Sequence, residues 1–245
     1  MESSPLSPLD ERYFEQTKIL RKYFNEMALF RYRLLIEIQY FISLIDILPE
    51  LKDLIEDKNN IMVALMNYYH FFTVDDYKKI KEYEKKTNHD VKALEYYIVD
   101  IFNNNNLDKY KSFIHFGITS QDINTSANIL ALKEGINDVI IPAINSIIYT
   151  LNTYSNEMKS NVMISFTHGQ CAVPTTMGKE LMVYKYRLEE QLNNLKNVKY
   201  STKFGGAVGN FNAHVLAYPN INWEKFSDNF IEKVLLLSRE CVTTQ

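Results

Sequence analysis

Along most of the chain apolar side chains recur at three- and four-residue steps, the period of a helix with one buried face. Phe14 to Leu48 contains neither glycine nor proline, and Ile19, Tyr23, Phe30, Leu34, Ile38 and Phe41 keep that period. This predicts one long helix closed off at Pro49. A less defined helical region covers roughly Leu51 to Phe72. Thr73 then stands three residues before Asp76 and opens the charged helix VDDYKKIKEYEKK as a capping box does. Asp90 is the expected N-cap of the next helix, whose apolar stripe is Val91, Leu94, Ile98 and Ile101. The run of asparagines from 103 to 106 reads as a polar loop and a domain boundary.

Past that loop, Gly117 interrupts an apolar stretch, and the pair Thr119-Ser120 caps a helix expected from about Gln121 to Lys133. Pro142 suits the first turn of another helix, reaching about Met158. The run VMISF is a small strand or a buried turn that delivers the chain to His168. After Pro174, Leu181, Tyr184, Leu188, Leu192 and Leu195 mark one more amphipathic helix. Asn222 caps a last one, from Trp223 to about Ser238. The fold class expected from this periodicity is all-α.

Composition narrows the function classes. With 245 residues, 46% hydrophobic and 23% charged, the chain suits an ordinary soluble globular protein. A net charge of −3 gives no global attraction to nucleic acid or to an anionic membrane, so neither is an expected partner. No apolar run reaches the roughly 18 residues needed to span a bilayer, and the N-terminus lacks the pattern of a secretory signal. Cys171 and Cys241 form no metal-ligand spacing and read as free thiols of a reducing compartment. The expected location is cytoplasmic, with no metal and no cofactor.

Three polar corners remain. Asn88-His89-Asp90 is either a capped connection or a cluster of small donors and acceptors. The hydroxyls of Thr119 and Ser120 meet the free N–H groups of a helix N-terminus, where a carboxylate or phosphate is favoured, although many such ends bind only their own cap. His168 lies in a turn, FTHGQ, ahead of a rigid helix, a setting suited to proton transfer, although a lone histidine is more often structural than catalytic. The N-terminal arm ends in Arg12 and Tyr13, a cation and an aromatic phenol. KFGGAVGNFNAH matches neither phosphate-loop spacing, and its glycines read as a tight turn or a close approach.

Together these segments resemble the adenylosuccinate lyase family of the fumarase/aspartase superfamily. SPLDERY, TNHDVKALEY, HFGITSQDIN, FTHGQCAVPTTMGKEL and KFGGAVGNFNAH are similar to that family's motifs and stand in its order, from one end of the chain to the other. The resemblance implies a small N-terminal helical domain, here 1–111, and part of a central long-helix bundle, here 112–245. It implies a homotetramer with active sites shared between subunits. The reaction implied is β-elimination of fumarate from adenylosuccinate, giving AMP, and from the succinylated aminoimidazole carboxamide ribotide. By the same resemblance His168 is the acid, Thr119 and Ser120 bind the succinyl part, and Arg12 and Tyr13 bind the nucleotide. Asn88, His89, Asp90 and Gln245 contact substrate, with Asp90 beside His89 to orient it. The family's mobile loop, with the serine proposed as base, has no match here, so the chain is expected to be an N-terminal fragment that does not turn over alone. THGQ and the NHD segment differ from argininosuccinate lyases and fumarases, whose histidine motif usually reads T-H-L-Q. A non-catalytic helical oligomerisation module explains the helices but not five ordered motifs.

Overall fold

The structure, a computed structural model, describes residues 7–244. A 3-10 turn at Pro8–Asp10 is followed by α1 (Phe14–Thr17), a second 3-10 turn at Lys18–Lys22 and the long α2 (Glu26–Ile45). Beyond a 3-10 segment at Pro49–Leu54 come α3 (Lys58–His70), α4 (Val74–Thr87) and α5 (Asp90–Asn104). Another 3-10 segment, Asp108–Phe113, precedes α6 (Ser120–Gly135), and a π-helical segment, Ile136–Ile140, precedes α7 (Ile141–Glu157). Then follow β1 (Val162–Thr167), β2 (Gln170–Thr176), α8 (Met177–Lys196), β3 (Ser201–Thr202), α9 (Asn212–Ala217), α10 (Trp223–Asp228), a π-helical segment at Asn229–Val234 and β4 (Ser238–Arg239). The molecule is mostly helical, as the periodicity predicts.

Local chemistry explains where the helices stop. The helix expected without a break from Phe14 is interrupted because Asn25 adopts an extended conformation and caps α2, its side chain accepting from the Ala28 amide at 2.7 Å. The break resets the helical phase: Phe30, Leu34, Ile38 and Phe41 are buried, whereas Ile19 is exposed. The Thr73–Asp76 capping box is present in both directions. Asn103 and Asn104 belong to α5, and the chain leaves the helix only at Asn105. Pro142 has no N–H to continue the ladder, and the turn before it is widened: the Ile141 amide donates to the Ile136 carbonyl, five residues back.

The described residues form two compact units, 7–133 with 200–244, and 134–199. The first is built on α2, where thirteen of twenty residues are buried, so this helix is enclosed nearly all round. Phe41 meets Phe102 of α5 edge-on at 4.7 Å. Near its C-terminal half Tyr40 packs against Phe204, Phe226 and Phe230 with centroids 5.4–6.0 Å apart. The parallel pair β3–β4 closes this unit's late segment. The second unit consists of α7, α8 and the antiparallel hairpin β1–β2. Few of its side chains are buried, and Ile147, Tyr149, Val162, Phe166, Val173, Tyr184 and Tyr186 are exposed. No helix among the described residues is long and apolar enough to cross a membrane.

Candidate active site

His168 sits at the tip of the β1–β2 hairpin. The last paired residues are Thr167 and Gln170, which leaves a two-residue loop of His168 and Gly169. Both have positive φ, 49° and 76°, the signature of a type I′ turn, whose twist matches that of the flanking strands. Glycine adopts this conformation without a Cβ penalty, and histidine is among the non-glycine residues that tolerate it best. The imidazole is exposed and, among the described residues, meets no hydrogen-bond partner. The backbone is therefore fixed while the ring is free to reach a reacting atom. Two grooves of about 580 and 620 Å³ lie in the same unit, one over Ser155, Gly178 and Tyr186 and one beside the hairpin stem, and His168 lines neither.

The 88–90 corner corrects one expectation. The N-cap of α5 is His89, not Asp90: its Nδ1 accepts from the Lys92 amide at 3.1 Å. A neutral ring in that role carries its proton on Nε2, so the 3.7 Å approach of Nδ1 to Asp90 Oδ1 is not an ion pair. Asp90 is the first residue of the helix, and there its carboxylate accepts from the Val91 amide at 2.8 Å and from Arg33 Nη2 at 2.7 Å. Burial alone would raise the Asp90 carboxyl, but Arg33 and the Val91 amide outweigh it and hold it below the ordinary value. Asn88 ends α4 in the left-handed conformation.

The 115–122 segment converges on Asp122, which is wholly buried. Its Oδ2 accepts from the amides of Thr119 at 2.8 Å and Gly206 at 3.1 Å, and its Oδ1 from the Gly205 amide at 2.9 Å. Lys203 Nζ lies 3.0 Å from Oδ1. The glycine stretch is thus a donor cradle for a protein carboxylate. Thr119 also turns its hydroxyl to Asp122, at 3.2 Å, while the Ser120 hydroxyl is uncommitted among the described residues. Upstream, His115 Nδ1 donates to Glu37 Oε1 at 2.5 Å. Burial would lower the His115 pKa, but the Glu37 charge and hydrogen bond more than reverse it.

Behind this turn the Tyr40 hydroxyl donates to the Phe116 carbonyl at 2.6 Å and lies 3.0 Å from His214 Nε2. Having given its proton to Phe116, the phenol accepts from Nε2–H. His214 Nδ1 has no partner among the described residues, and burial lowers this histidine to about 4, against a weaker pull from Asp122. Gly117, at φ +68°, passes so near that a Cβ would lie 2.9 Å from the His214 ring.

Arg12 and Tyr13 are exposed and touch each other, the guanidinium 5.3 Å from the ring centroid. No side-chain hydrogen bond or ion pair among the described residues ties them to another candidate position. Gln245 lies outside the described residues. Non-glycine residues with positive φ are rare and collect where structure overrides local preference; of the six among the described residues, Asn88, His115, His168 and Phe211 fall in the four inner motifs. Arg33, Glu37, Tyr40 and His214, and the hub role of Asp122, escaped the sequence reading. The available signal was the presence of Arg33 and Glu37 within the buried phase of α2.

A family profile described as lyase matches residues 11–236, and the chain belongs to that family. It is similar to the adenylosuccinate lyases of Dictyostelium discoideum (46% identity over 98% of this chain and 53% of that protein), Legionella pneumophila strain Corby (44%, over 98% and 52%) and Escherichia coli K12 (35%, over 92% and 50%). The chain spans about half the length of these curated relatives. Among solved structures, a fumarate lyase from Mesorhizobium sp. BNC1 shares the fold at a TM-score of 0.71 and 18% identity, covering 92% of this chain and 49% of that one. A 3-carboxy-cis,cis-muconate lactonizing enzyme from Pseudomonas putida does so at 0.69 and 16%, covering 91% and 48%.

Proposed function

We propose that the protein is an adenylosuccinate lyase, eliminating fumarate from adenylosuccinate to give AMP and from the succinylated aminoimidazole carboxamide ribotide. The observation that carries this reading is 46% identity to a relative of that name across 98% of the chain. In the reaction a base takes the proton from the carbon next to the one bearing nitrogen, the electron pair forms the new C=C bond, the C–N bond breaks, and an acid protonates the departing nitrogen. His168 is the acid: a free imidazole on a fixed turn. Thr119 and Ser120 hold the succinyl carboxylates at the start of α6, Arg12 and Tyr13 hold the nucleotide, and Asn88, His89, Asp90 and Gln245 complete the contacts. His89, with its proton on Nε2, serves as a donor.

The serine proposed as base in the family has no counterpart among these 245 residues, and on this reading they are expected to give negligible turnover by themselves. The division into an N-terminal domain over 1–111 and a bundle domain over 112–245 belongs to the same proposal. So do cytoplasmic location, small-molecule substrates, and a homotetramer that covers the exposed apolar side chains of α7, α8 and the hairpin.

The test is His168→Asn in the complete natural protein. Asparagine favours the left-handed conformation and keeps the turn, while the proton donor is lost. Adenylosuccinate cleavage, followed by ultraviolet absorbance, falls roughly 10²- to 10⁴-fold, the usual contribution of a positioned acid. Argininosuccinate is not cleaved by wild type. Near-wild-type turnover of both ribotides by the variant refutes the assignment.

A further inference from the structure

Three polar residues stand on the buried face of α2 at i, i+4 and i+7, a spacing that aligns them in one row. Arg33, Glu37 and Tyr40 are 5%, 3% and 0% exposed, amid apolar neighbours such as Leu34, Ile38 and Phe41. Apolar side chains of similar volume would be as stable there or more so, because buried charges lose their hydration. Together they instead reach three separate motifs. Arg33 binds Asp90 of the 88–90 corner, Glu37 binds His115, and Tyr40 joins the Phe116 carbonyl to His214 of the glycine segment. Arg33 Nε and Glu37 Oε2 are buried without partners among the described residues, which a network selected for stability alone would not retain.

We propose that the Arg33–Glu37–Tyr40 row is a positioning spine: one rigid helix sets the register of the 88–90 corner, the 115–120 turn and the 204–214 segment, and so the shape of the substrate site. The three residues act through the segments they hold and do not touch substrate. That last step rests on the lyase reading above; the anchoring itself does not.

The experiment uses the complete natural protein with Glu37→Gln, Tyr40→Phe, Arg33→Met and Arg33→Lys, read by hydrogen exchange and by adenylosuccinate kinetics well below Tm. A spine predicts exchange at least fivefold faster at the distant anchored segment: 113–119 for Glu37→Gln, both 115–119 and 205–214 for Tyr40→Phe, and 88–92 for Arg33→Met. Arg33→Lys restores the last. KM for adenylosuccinate rises at least fivefold in the three disruptive variants and is rescued by Arg33→Lys. Loss of folded protein lowers apparent kcat but leaves KM alone, so this split separates positioning from stability. Exchange that rises uniformly, or only within α2, overturns the spine, as does an unchanged KM beside a lowered Tm. If wild type cleaves no adenylosuccinate, the lyase reading fails, and the exchange pattern alone decides the anchoring.

Discussion

Replacing Asp122 with asparagine is the most demanding test of how the first unit is held together. The side chain is 0% exposed, and its two oxygens accept from the amides of Thr119, Gly205 and Gly206 and face Lys203 Nζ. Asparagine has the same shape but offers one oxygen and one NH2. Placed at Oδ1, the amide nitrogen confronts the Gly205 amide and the Lys203 ammonium; placed at Oδ2, it confronts the amides of Thr119 and Gly206. Each orphaned donor costs about 1–3 kcal/mol, and a buried ammonium without its counter-charge about 3–5 kcal/mol. These losses overlap, and we expect a net destabilisation of about 4 kcal/mol. Trp223, the sole tryptophan, is 2% exposed and packs 4.7 Å from the His214 ring, so its fluorescence reports unfolding of this unit. With a urea m-value of roughly 2 kcal/mol/M, the midpoint falls by about 2 M. Lys203→Met should recover about 1 kcal/mol or more in the Asp122→Asn background, because the stranded charge is removed with it. A loss under about 1 kcal/mol for Asp122→Asn, or strict additivity of the pair, would refute the carboxylate hub.

Two further outcomes follow from the same region. His214 is neutral in the fold with its pKa lowered to about 4 from 6.5, so the unfolded chain takes up a proton first as pH falls; its stabilisation is complete above 6.5 and disappears between 6.5 and about 4. That is worth roughly 3 kcal/mol, and urea unfolding at pH 7 and 4.5 should show wild type losing about 2–3 kcal/mol more than His214→Phe; equal losses contradict it. His115, whose pKa is raised, acts in the other window: its stabilisation is whole below 6.5 and fades as pH climbs through its folded value. Gly117→Ala combines a left-handed backbone with a Cβ 2.9 Å from the His214 ring, and a cost of about 3 kcal/mol is expected. Because His214→Ala vacates that space, the double variant should show a favourable coupling of about 1 kcal/mol or more in a thermodynamic cycle, and additivity would place the cost in the backbone alone.

What the sequence disclosed about this fold was local, and what it withheld was long-range. The Thr73–Asp76 box, the Asn222 cap and the stripe Val91, Leu94, Ile98 and Ile101 could be read because each depends on residues within a turn or two of one another. Asn25 was missed because the absence of glycine and proline speaks only to helix interiors, whereas a cap is decided by one extended backbone and one carboxamide. His89 was passed over for Asp90 because a neutral imidazole nitrogen caps less often than a carboxylate, yet the carboxylate here is engaged by Arg33, 57 residues away. Asp122 shows the limit most clearly. The pair Thr119-Ser120 could be read as a helix cap, but the carboxylate that the Thr119 amide meets also holds amides 83 and 84 residues further on, which no window of sequence contains.

The same distinction explains the stripe on α8: periodicity identified a face that requires cover, yet Tyr184 remains 59% exposed in a single chain. Amphipathic spacing states that a partner is needed and is silent on what supplies it. The candidate site divides along that line too. Turns and caps, namely His168-Gly169, His89 and Thr119, are specified where they stand, but what the 88–90 corner and the 115–120 turn share is the buried polar row of α2, visible only once these distant segments are seen to meet it.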